Sequence, residues 1–61
     1  MSYRVLGQGL AAIDQAEPDL GRAAYTASKM SDNGVKNVRV IDSDGQQIPR
    51  RDLVRALRNW S

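Results

Sequence analysis

The sequence predicts a small α/β domain of the α+β kind, ordered β-α-β-β-α, with a three-stranded mixed sheet and two helices packed on one of its faces. Three observations carry this expectation. Val38, Val40 and Ile41 followed by Ser43-Asp44-Gly45 read as a β-hairpin, because β-branched residues suit a pleated surface and glycine suits the left-handed backbone of a tight turn. Apolar residues recur at helical spacing between Leu20 and Met30. The last dozen residues form an amphipath, with leucine on one side and arginine on the other.

Taken in order, Tyr3-Arg4-Val5-Leu6 reads as a short first strand that ends in a flexible turn at Gly7-Gln8-Gly9. Leu20, Ala23, Ala24, Ala27 and Met30 then share one helical arc, and Ala12, Ile13 and Ala16 fall in the same phase. Proline is best tolerated at the first helical position, so the helix is expected to begin near Pro18, with Leu10 to Gln15 as a separate helical turn. Gly34 is placed as its left-handed C-terminal cap. The strand-helix-strand succession implies a right-handed parallel crossover, and the hairpin over 37–48 then supplies an antiparallel third strand. The closing helix is predicted over Pro49 to Asn59, with Asp52 favourable in its first turn.

Sixty-one residues are read as one complete small domain, 1–61, near the lower limit for a core that folds alone. Leu, Ile and Val number thirteen and Phe is absent, so the core must draw on seven alanines and on Tyr3, Met30 and Trp60. Such a thin core leaves self-association open. Neither cysteine nor histidine is present, which removes disulfides, thiolate nucleophiles, imidazole bases and the usual zinc and haem ligands. No apolar run has the length of a membrane span, and the chain is expected to be soluble and cytoplasmic.

Two patterns touch on ligands. Gly7-x-Gly9 with Ala12 is a degenerate dinucleotide-binding turn in a chain too short for the sheet such a site needs. Asp42-x-Asp44-Gly45 fails as a calcium loop, because counting back from Gly45 puts Val40 at the first ligand position and Arg51 at the twelfth. A turn is the expected role. No cofactor and no metal is expected.

Ala24-Tyr25-Thr26-Ala27-Ser28-Lys29 resembles the active-site Tyr-x-x-x-Lys segment of short-chain dehydrogenases. The resemblance implies a proton-donating Tyr25 and a Lys29 that lowers its pKa and holds a nicotinamide ribose. It covers six residues, without the family's glycine-rich cofactor domain or its upstream serine segment, and the chain is read as a non-enzyme.

What remains is surface chemistry. Arg51, Arg55 and Arg58 form a stripe on the closing helix, Arg50 flanks it, and guanidinium forks match carboxylates and phosphates. The uncovered sheet face is expected to carry Arg4, Leu6, Asn37, Arg39, Ile41 and Gln47. The expected function is that of a small non-enzymatic binding or regulatory module contacting a macromolecular partner, a protein in the first instance, through Arg50, Arg51, Arg55, Arg58 and Arg39. The alternative is a nucleic-acid-binding protein whose arginine-rich helix neutralises phosphates. A net charge of +2 is small for that role.

Overall fold

The computed structural model describes residues 2–60 and, of Trp60, the backbone only, so the expected core role of the Trp60 side chain lies outside the described residues. Five elements follow in order: β1 (Tyr3–Gln8), β2 (Ala12–Glu17), α1 (Leu20–Asp32), β3 (Lys36–Ile41) and α2 (Arg50–Trp60). The α+β class, the three-stranded sheet and the two helices are as the sequence predicts. The expected succession of strand, helix, strand, hairpin arm and helix is present, with one strand added ahead of α1.

That strand is β2, read from sequence as a helical turn. It pairs antiparallel with β1 from Tyr3↔Glu17 to Gln8↔Ala12. β3 also pairs antiparallel with β1, so the order is β2-β1-β3 and the sheet is wholly antiparallel instead of mixed. The expected parallel crossover from the first strand to β3 is not formed, because these two strands pair antiparallel. β2 and β3 both oppose β1 and are therefore parallel to each other, and α1 links them across the intervening central strand in a split β-α-β arrangement. The predicted third strand after the turn shrinks to a short arm, held by the Ile41↔Gln47 bridge and by Ile48 N–H donating to the Val40 carbonyl at 2.8 Å.

β1 runs through the predicted turn. Gly7 is buried within the strand, and a Cβ built on it would meet Val35 Cγ1 at 2.6 Å. Glycine is required at position 7 by packing. Opposite Gly7 the register of β3 shifts, from Leu6↔Arg39 to Gln8↔Lys36. Asn37 absorbs the extra residue at φ 56°, a conformation asparagine tolerates better than most residues, and its Nδ2 donates to Gln8 Oε1 at 3.2 Å.

α1 begins after Asp19 and not at Pro18. Asp19 is the N-cap, its Oδ1 accepting the Arg22 amide at 2.8 Å, which satisfies one of the free donors of the first turn. At the other end Gly34 has φ 87°, its amide donates to the Ser31 carbonyl and the Val35 amide to that of Met30. This is a Schellman cap, and it turns Val35 back onto the core. Ala23, Ala27 and Met30 meet Val5 and Val40 in that core, and Tyr3, Ile13, Leu20, Val38, Ile48 and Leu53 pack around it half-buried. The Asp42-Ser43-Asp44-Gly45 turn has its predicted role: Asp42 Oδ1 accepts the amides of Asp44 and Gln46, each at 2.9 Å, and Gly45 has φ 83°.

Gly7→Ala is expected to cost about 1–3 kcal/mol, the usual penalty for overpacking against a stiff β-branched neighbour. Urea unfolding measures it. In a Val35→Ala background the same substitution should cost less than half as much, and equal costs would disprove the contact.

Candidate functional site

α2 carries most of the predicted site residues. Its first turn is closed by the Pro49 carbonyl, which accepts the amides of Asp52 at 3.0 Å and Leu53 at 3.2 Å, so Pro49 sits just outside the helix that begins at Arg50. Asp52 near the N-terminus and Arg58 in the last turn both complement the helix dipole. α2 packs on α1 and reaches the core through Leu53; it does not lie across the strands. Consequently none of its described side chains is fully buried: Leu53, Ala56 and Leu57 are half-buried, and Val54 is 43% exposed.

The helix pair and the edge strand enclose a groove of about 610 Å³. Ala24 and Ala27 of α1, Val38 of β3, Ile48 and Leu53 supply apolar walls, with Val35 at one end. Leu57, Arg50 and Val54, spaced i+7, i and i+4, form the α2 side. Polar groups line it as well: Ser28, Ser31 and Asp32 on α1, Asn37 and Arg39 on β3.

The structure brings two of the predicted partner-binding residues, Arg39 and Arg50, to this one groove. Arg51, Arg55 and Arg58 do not line it. At 3.6 residues per turn, however, Arg51 and Arg58 lie within about 60° of Val54 around the helix, so the stripe begins where the groove wall ends. All five arginines are exposed. Among the described residues the two ion pairs are Arg4–Asp14 at 3.6 Å and Arg22–Glu17 at 3.7 Å, so none of the five has a carboxylate partner there. Arg39 Nη1 donates to the Asn37 carbonyl at 3.0 Å. The other expected surface, the outer sheet face, holds Arg4, Leu6, Arg39 and Ile41 in cross-strand register, with Arg4 paired to Asp14 on the same face.

The Tyr25–Lys29 pair lies on the outer side of α1, with Lys29 Nζ 5.7 Å from the Tyr25 ring centroid, within cation–π range. The residues between them serve elsewhere. Thr26 donates its hydroxyl to Glu17 Oε2, Ala27 joins the core and Ser28 borders the groove.

Glu17 is the one buried charged residue among those described, and sequence reasoning missed it. Its carboxylate accepts hydrogen bonds from Thr26 and from Gln15 Nε2 at 3.1 Å, and Arg22 Nε lies 3.7 Å away. These contacts tie the end of β2 to the first turns of α1. The sole sequence signal was a glutamate just ahead of Pro18-Asp19, with Arg22 and Thr26 one turn apart behind it.

Glu17→Ala is expected to destabilise the fold by about 1–3 kcal/mol, since the half-buried Thr26 hydroxyl loses its acceptor and the tie from β2 to α1 is broken. Combining it with Thr26→Val should cost less than the sum of the two single changes, a double-mutant cycle read by thermal unfolding. Additive costs would rule out the interaction. No protein-family model matches the chain, and no curated protein or solved structure does either.

Proposed function

We propose that this chain is a small non-enzymatic binding or regulatory module that works by contact with a protein partner through the C-terminal helix. The observation that carries the reading is the pairing pattern of its charges: Arg50, Arg51, Arg55 and Arg58 stand exposed on one helix with no carboxylate within ion-pair distance among the described residues, next to apolar side chains that are half-covered. Solvated arginines alone carry little information, because a helix needs some charged face. Arginine beside unfilled apolar surface is the composition of protein interfaces, where aromatic, methionine and arginine side chains are enriched and lysine is depleted.

A phosphate-binding role draws on the same arginines, and salt separates the two. Phosphate contacts release counterions, so affinity for nucleic acid falls steeply with ionic strength. Short duplex DNA and RNA are expected not to bind at physiological salt, while polyglutamate binds at low salt and is weakened about tenfold or more in Arg51→Ala/Arg55→Ala/Arg58→Ala. Nucleic-acid binding that survives physiological salt and disappears in this variant would replace the protein-contact reading.

A further inference from the structure

The groove between α1, β3 and α2 does not close as a helix–sheet seam normally does. We infer that it, together with the adjoining arginine stripe, is a docking site for an acidic amphipathic segment of a partner protein, an inference that rests on the protein-contact reading above and gives it a location and a ligand chemistry. Charge complementarity selects this occupant. Among the lining residues Arg39 and Arg50 face one carboxylate, that of Asp32. Beyond the wall formed by Val54, Arg58 and Arg51 extend the positive surface away from the groove. A segment whose apolar side chains enter between Val38, Ile48 and Leu53 would therefore carry its other face past the guanidinium groups of Arg50, Arg51 and Arg58. Glutamate or aspartate on that face gains charge-assisted hydrogen bonds; lysine there is repelled.

Three other occupants fit less well. The groove volume of about 610 Å³ lies within the range of small-molecule sites, but a compact ligand would leave the neighbouring stripe unused. A second copy of the chain would bring two arginine-rich helices together. A nucleic acid would use the stripe and leave the apolar walls empty.

The test uses the intact chain, isothermal titration and backbone amide shifts, with three synthetic probes of equal length: a peptide with leucine and glutamate at helical spacing, polyglutamate, and a leucine–lysine peptide. The leucine–glutamate peptide is expected to bind about tenfold tighter than polyglutamate, with shifts centred on Val38, Ile48, Leu53 and Val54. Val54→Gln, at a site exposed enough to tolerate a polar side chain, should weaken that peptide about fivefold and leave polyglutamate binding unchanged. Equal affinity for the two acidic probes, or shifts confined to the outer sheet face, would overturn the groove while leaving the protein-contact reading intact. Failure of both acidic probes, or preference for the lysine peptide, would overturn both.

Discussion

The fold depends on how closely α1 can approach the central strand. Ala23 and Ala27 present almost no side chain to Val5 and Val40, and Gly7 presents none to Val35. Small residues on the helix and a missing Cβ on the strand let two backbones come near enough for Val5 and Val40 to be fully buried. Dispersion contacts are weak singly and fall off steeply with separation, so a core of this size holds only if its few members touch on every side. The Schellman cap at Gly34 serves the same contact, because it is what returns Val35 to a position above Gly7.

Closeness in one place leaves room in another. α1 occupies the centre of the sheet, and α2, arriving last, packs on its flank and reaches the core by Leu53. Its apolar side is therefore shared between a contact with α1 and an open groove. The charges divide in a parallel way. Arg4 and Arg22 find carboxylates across the β1–β2 pair and at the start of α1, whereas the arginines of β3 and α2 find none among the described residues. The arginine charges of β3 and α2 thus stay unpaired among the described residues, while those of the β1–β2 pair and of the start of α1 are locally neutralised. The proposed binding role is a consequence of that asymmetry.

Much of the fold was legible because it is set by neighbours in sequence. The alanine phase of α1, the left-handed Gly34, the Asp42-to-Gly45 turn and the amphipathic α2 each follow from residues within a few positions of one another. β2 was not legible, since its core-facing positions are Ile13, Gln15 and Glu17, which give no apolar alternation, while Ala12, Ile13 and Ala16 imitate a helical phase. The arginines were found as a list; their relation to the groove was not.

By itself, then, the sequence determined two helices, the glycine cap that ends the first, one tight turn and an arginine-rich closing face, all of which rest on short-range backbone and solvation preferences. Only the tertiary structure decided that Ala12–Glu17 is a strand, because its conformation comes from hydrogen bonds to β1 and from the burial of Glu17 against Thr26 and Arg22. The groove was decided there too. It exists through the relative placement of three elements, and no local preference encodes the space left between them.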